Sequence, residues 1–149
     1  MLKRRNLLTA AAAMPFAAIV GSAQAAGAGK TFYWVSHGGP ADPVWTYFLA
    51  GANMWAADTG ATVKTSFHSG DVPSHQEALR AAIAAKPAGI VTTSPDPGSL
   101  VKVVDEARAA GIPIINFNTP DPKANFQAYV GADLGVVGKG WAQYLVEKS

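Results

Sequence analysis

Residues 31–45 read Thr31-Phe32-Tyr33-Trp34-Val35-Ser36-His37-Gly38-Gly39-Pro40-Ala41-Asp42-Pro43-Val44-Trp45. The first five are aromatic or β-branched, which favours a pleated, half-buried strand. Gly38 and Gly39 then allow a tight turn. Asp42-Pro43 follows as an N-cap with proline at the first helical position, where a missing N–H is harmless. Beyond it Trp45, Phe48, Leu49, Ala52 and Trp55 recur at helical spacing. Gly60 ends that run. A strand, a glycine turn and a capped helix make one βα unit, and a chain of such units builds a parallel sheet.

The unit repeats. Ala61–Phe67 sets Val63, Thr65 and Phe67 against Thr62, Lys64 and Ser66, the alternation of a second strand. Ser74-His75-Gln76-Glu77 has the form of a capping box and is expected to open a helix that Pro87 stops. Ala88–Thr93 is a third strand. Asp96-Pro97 repeats the Asp-Pro helix start, with Leu100, Val101, Val104 and Ala107 on one face and Gly111 as the stop. Ile112–Phe117 and Gln127–Ala132 are the fourth and fifth strands. Asp133 is expected to cap a last helix over Leu134–Lys148. The continuous apolar run Ile112-Pro113-Ile114-Ile115 suits a strand covered on both faces. The expected fold is α/β, a doubly wound parallel sheet with helices on both faces and right-handed crossovers.

The first 25 residues read differently. Met1-Leu2-Lys3-Arg4-Arg5 is a cationic head, Leu7 to Val20 is nearly all apolar, and Ala23-Gln24-Ala25 is a small-residue cleavage site. This is the pattern of a secretory signal peptide cleaved after Ala25. Its apolar run of about 14 residues is short of the roughly 20 that span a bilayer. Arg4-Arg5-Asn6-Leu7-Leu8 also resembles a twin-arginine export signal. Loss of Lys3, Arg4 and Arg5 leaves 9 basic against 10 acidic residues, so the formal charge moves from +2 to −1. No basic patch then points to nucleic acid. The chain has no cysteine, so the exported protein is expected to hold its fold by its core alone.

In a doubly wound sheet, ligands bind outside the carboxyl ends of the strands. Here those ends carry Ser36 and His37, then His68, Ser69 and Asp71, then Ser94 and Asp96, then Asn116, Asn118, Thr119 and Asp121, and last Asp133. A phosphate cradle is a poor reading: no G-x-G-x-x-G follows a strand. Gly135, Gly138 and Gly140 fall within the last helix, where close packing explains them better. A metal site is a poor reading as well, because His37, His68 and His75 lack ligand spacing and no thiol is present. Ser36 and His37 are neighbours on a strand, which points their side chains to opposite faces, and no nucleophile elbow is present. A neutral polyhydroxylated ligand fits best. It takes hydrogen bonds from paired Asp and Asn groups and packs its C–H face on an aromatic ring. Asp42, Asp96, Asn116, Asn118 and Trp45 supply both, although Asp42 and Asp96 also serve as caps and Trp45 also suits a core.

The order of motifs adds a resemblance. The stretch Ser36–Trp45, then Ala81-Ala82-Ile83-Ala84-Ala85-Lys86-Pro87-Ala88-Gly89-Ile90-Val91, Ser94-Pro95-Asp96-Pro97 and Ala109-Ala110-Gly111-Ile112-Pro113-Ile114-Ile115 resemble type I periplasmic sugar-binding proteins of ABC transporters, in the ribose-binding-like group. A signal peptide fits that group better than the related repressors, which carry a DNA-binding helix-turn-helix. The resemblance implies a capture protein in the periplasm, not an enzyme, with neither metal nor cofactor. Two lobes joined by a hinge would close on a monosaccharide or polyol, and the closed monomer would dock on a membrane permease. It implies ligand contacts from Ser36, His37, Asp42 and Trp45, and the polar rim adds Asp96, Asn116, Asn118 and Asp133 as candidate contacts.

This chain departs from the group's pattern in three places. Val44 stands where a second aromatic is common. Asn118-Thr119 replaces the Asp-Arg pair of ribose-type members, which points to another monosaccharide or a polyol. The group also runs to about twice this mature length, in line with two domains of ordinary size. Residues 26–132 are expected to form the N-terminal lobe. Residues 133–149 are expected to be the hinge crossing and first helix of a second lobe, which leaves apolar surface along the sheet and along that helix. An exported hydrolytic enzyme using Ser36 or His37, and a sensory protein that presents its ligand, are the alternatives.

Overall fold

The structure is a computed structural model that describes residues 27–149; the expected signal segment, residues 1–25, lies outside the described residues. The elements are β1 (Thr31–Ser36), α1 (Pro43–Thr59), β2 (Thr62–Phe67), α2 (Val72–Ala84), β3 (Gly89–Thr92), α3 (Val101–Ala109), β4 (Ile114–Phe117), β5 (Tyr129–Val130) and α4 (Leu134–Lys148). The strands lie in the order β2-β1-β3-β4-β5, and every pairing is parallel. The chain therefore winds outward from β1 to β2, then crosses back over β1 to β3 and continues the other way. The reversal falls between β1 and β3, so the crevice for a ligand opens above the ends of these two strands.

The two faces of the sheet are covered unequally. On one face Val35, Ile90 and Ile114 meet Leu79 and Ala82 of α2 and Val103, Val104 and Ala107 of α3, and none of these is more than 1% exposed. The other face holds a smaller aromatic cluster of Trp34, Trp45 and Phe117. The Trp34 and Phe117 rings meet edge to face at 4.6 Å, and Phe48 of α1 meets Phe117 at 5.1 Å. The helical spacing read in α1 is real, yet Trp45 is its one buried residue. Alongside α1 an open apolar groove of about 480 Å³ runs between Trp34, Phe48, Val91, Ile115, Phe117 and Leu134. The last helix, α4, buries nothing, and its Trp141 is 72% exposed.

Two helix starts differ from their expected form. The second helix begins at Val72, with Asp71 as its N-cap accepting from Ser74 N at 3.1 Å. Ser74 is no cap: its hydroxyl meets His68 Nδ1 at 2.8 Å instead. An aspartate followed by proline in the first turn outcompetes a serine that already has a partner. The third helix begins at Val101, after Leu100, with no side-chain cap. Asp96-Pro97 makes a turn instead, in which Ser99 N donates to Asp96 O at 3.0 Å. The reason is Gly98, whose φ of +91° cannot continue a right-handed helix.

The carboxylate that organises this turn comes from elsewhere. Asp121, 6% exposed, accepts from Gly98 N at 2.9 Å and Ser94 Oγ at 2.7 Å. It also accepts from Lys123 N at 3.1 Å. It thus clips the loop after β4 to the loop after β3. Removing it strands two backbone donors and leaves the buried Ser94 hydroxyl only the longer bond to Asp96 O at 3.3 Å. We expect Asp121→Ala to cost about 2–4 kcal/mol of stability in urea unfolding, and Asp121→Asn less.

Candidate functional site

The crevice is built where β1 and β3 end side by side. His37, just past β1, is tied to Thr93, just past β3. His37 N donates to Thr93 Oγ1 at 3.0 Å, and His37 Nδ1 lies 2.7 Å from the same oxygen. The backbone joins the neighbouring loop: His68 N donates to Ser36 O at 3.0 Å and Gly70 N to His37 O at 2.8 Å. Three strand ends are thereby fastened into one wall. Burial lowers the His37 pKa below its ordinary value of 6.5, so the ring is neutral at physiological pH.

Trp45 closes the wall from below. It is 4% exposed and meets the His37 ring edge to face at 5.3 Å. Its indole lies directly on Gly38, so that a Cβ there would overlap Trp45 Nε1. The glycine that the sequence offered for close backbone approach is thus used by the protein's own tryptophan. The stacking face expected of Trp45 is largely covered in this arrangement, since the residue is 4% exposed.

The other expected residues separate into two sets. Asp42, Asp96 and Asp133 are exposed at the mouth. Asp42 accepts from Val44 N at 3.0 Å, and Asp133 accepts from Gly135 N and Val136 N at 2.9 and 3.0 Å. Both therefore cap the helices that follow them. Asn118 is half-buried at φ +63°, a left-handed position that asparagine tolerates, and it lines the end of the apolar groove. Ser36 and Asn116 lie beneath the mouth. Ser36 is fully buried, and its hydroxyl has no hydrogen-bond partner among the described residues. Asn116, 1% exposed, donates from Nδ2 to Thr92 O and accepts Asp121 N, each at 3.3 Å. It braces the Asp121 clip.

Thr93 was missed by sequence reasoning. Its signal was available: Thr92-Thr93-Ser94 is a run of hydroxyls at the end of an apolar strand. Among the described residues no group of three His, Cys, Asp or Glu side chains could hold a metal ion.

Comparison with known proteins fits this geometry. The profile of the periplasmic binding protein domain family matches residues 32–149. The chain belongs to the periplasmic binding protein family. Its fold is similar to a periplasmic sugar-binding protein of an ABC sugar transporter from Legionella pneumophila, with TM-score 0.74 and 28% identity over 79% of this chain and 45% of that one. It is similar to a carbohydrate transporter from Acidothermus cellulolyticus 11B solved in complex with myo-inositol, with TM-score 0.75 and 29% identity over 80% and 43%. A carbohydrate transporter solute-binding protein from Agrobacterium radiobacter, in complex with D-arabinose, matches with TM-score 0.64 and 28% identity over 70% and 35%. The chain thus spans under half the length of these relatives. No curated protein sequence matches it.

In this periplasmic binding protein lobe a second histidine lies under the wall. His75, in the first turn of α2, is fully buried, and its Nε2 meets Thr92 Oγ1 at 2.8 Å. Thr92 Oγ1 itself donates to Thr93 O at 3.2 Å, so it accepts from His75 Nε2–H. Nδ1 is then a bare, buried acceptor without a partner among the described residues. Burial, with smaller contributions from His68 and His37, lowers the His75 pKa from 6.5 to about 4. No carboxylate contributes to that shift.

Two predictions follow from packing and charge. Gly38→Ala should push Trp45 out of its seat, costing about 1–3 kcal/mol and changing the near-UV circular dichroism. Gly39→Ala should do neither, because a Cβ there meets only Ser69 Oγ at 4.0 Å. His75 is neutral in the folded chain down to about pH 4 but takes a proton near pH 6.5 when unfolded. Its contribution is therefore fully present above pH 6.5 and is lost as pH falls toward 4. The slope approaches about 1.4 kcal/mol per pH unit at most. Urea titrations between pH 7 and pH 5 should show this loss, and His75→Gln should flatten it.

Proposed function

We propose that the protein is the solute-capture component of an ABC importer, binding a neutral monosaccharide or polyol in the periplasm for delivery to a membrane permease. The observation that carries this reading is the wall at the β1–β3 crossover: a neutral imidazole, exposed carboxylates and a half-buried Asn118, with the Trp45 ring behind them. Such groups match vicinal hydroxyls, which both donate and accept. The relatives solved with myo-inositol and D-arabinose support the same ligand class.

In this reading residues 1–25 are an export signal removed after Ala25. Residues 26–132 form one lobe, and residues 133–149 cross the hinge into a second. The crossing is anchored: the one Tyr129 OH proton is shared between Asn118 O at 2.9 Å and Ala132 O at 3.2 Å. The open apolar groove and the bare face of α4 are then surfaces that the rest of a two-lobed protein covers. Ligand would enter between the lobes and hold them closed, as in hinge closure generally. The protein binds and releases without turnover.

Calorimetric titration of the native exported protein tests this. We expect one site per monomer for a neutral monosaccharide or polyol, unchanged ligand on recovery, and roughly tenfold or greater weakening in Asp96→Ala. Residues 26–149 alone should bind weakly or not at all. Turnover of a glycoside or ester, abolished by His37→Ala, would overturn the capture role.

A further inference from the structure

We propose that Thr93 is a positioning residue of the ligand wall: its hydroxyl locks His37 as the Nε2–H tautomer and makes that N–H a fixed donor to an oxygen of a neutral hydroxylated ligand. The inference rests on the capture reading above and adds the direction in which one of its contacts is made.

Thr93 is fully buried, and its side-chain oxygen has two partners among the described residues, both on His37. The backbone N–H of His37 can only donate, so Thr93 Oγ1 accepts it. One hydroxyl proton remains, and the partner within reach is His37 Nδ1 at 2.7 Å. If Nδ1 carried a proton instead, that hydroxyl would be a buried donor with nowhere to go, which is the costly case. Nδ1 is therefore the acceptor, and the ring proton sits on Nε2.

Nε2 has no partner among the described residues, and it is not among the buried unpaired atoms, so it is open to solvent. The ring cannot turn freely, because its edge-to-face contact with Trp45 and its bond to Thr93 hold two sides of it. Asp96 and Asp133 at the mouth have no hydrogen bond to His37 among the described residues, and His75 beneath the wall is bonded to Thr92. His68 belongs to the adjoining loop and bonds Ser74 and Ser66. Asp42 is occupied in capping α1. None of them competes for His37 Nε2. Thr92, one residue earlier on the opposite face, holds His75 in the same tautomer, so the two adjacent threonines set both rings.

The test combines a spectrum with a titration. Long-range proton–nitrogen correlation on the ¹⁵N-labelled native protein at pH 7.5 should show His37 Nδ1 as the unprotonated nitrogen and Nε2 as the protonated one. Thr93→Val should convert this to a tautomer mixture, and Thr93→Ser should restore it. With myo-inositol and D-arabinose as probes, Thr93→Val should weaken binding about tenfold and Thr93→Ser about twofold or less. A protonated Nδ1 in the parent protein, or an unchanged spectrum in Thr93→Val, overturns the inference. If neither those probes nor other neutral sugars bind, the capture reading fails, while the spectrum still decides the tautomer.

Discussion

The structure depends on β3. It lies at the centre of the sheet, paired to β1 on one side and β4 on the other. Thr92 ends it and Thr93 follows it, and the two side chains face opposite ways. Thr92 reaches into the layer of α2 and α3 and fixes His75; Thr93 reaches to the end of β1 and fixes His37. Both hydroxyls are buried, so each hydrogen bond replaces an otherwise unpaired group and is strongly preferred to its absence. The central strand thus ends in a pair of anchors that join the dry core to the wet mouth. A disturbance at either histidine is felt in the strand that pairs with both neighbours.

The unequal cover of the sheet sets what each face can do. The α2–α3 face is closed, and its aliphatic residues are as buried as those of any domain interior. The α1 face is closed only around Trp45. Aromatic rings fill that half because a single helix must cover a wide strip, and large rings cover more surface per residue. What remains is a groove of about 480 Å³ and an α4 helix with an exposed apolar face. A contiguous apolar surface of this kind marks a place where another element or chain packs.

Most of the topology was legible because it rests on short-range rules. The Asp42 and Asp133 caps, the Gly60 stop and the apolar strands each announce themselves within a few residues. The misread starts of α2 and α3 have a common cause. Asp71 lies two residues before Pro73, and Ser74 was already spent on His68; Asp96 precedes a proline, but the positive φ of Gly98 prevents a helix there, and Asp121 supplies a carboxylate to the resulting turn from 23 residues away. Local motifs compete, and the winner is set by partners that lie far off in sequence. The site shows the same limit. His37 could be named from its place after β1, whereas its tether to Thr93 spans 56 residues and no spacing announces it.

Parallel strands followed by helices place helix N-termini at the rim as a matter of topology. Their free N–H groups and dipoles make such a rim attractive to anions. Here most of that attraction is already satisfied. Asp42 caps α1, Asp71 caps α2 and Asp133 caps α4, while Asp121 occupies the turn before α3. Three of the four starts are held by a carboxylate of the chain itself, and Asp121 takes the Gly98 N–H before the fourth, so an anion at the starts of α1, α2 or α4 would meet negative charge instead of open donors. The groups left for a ligand are the spare carboxylate oxygens, the Asn118 amide and the His37 N–H. Such a wall disfavours an anion, which agrees with the neutral, hydroxylated ligand class proposed above.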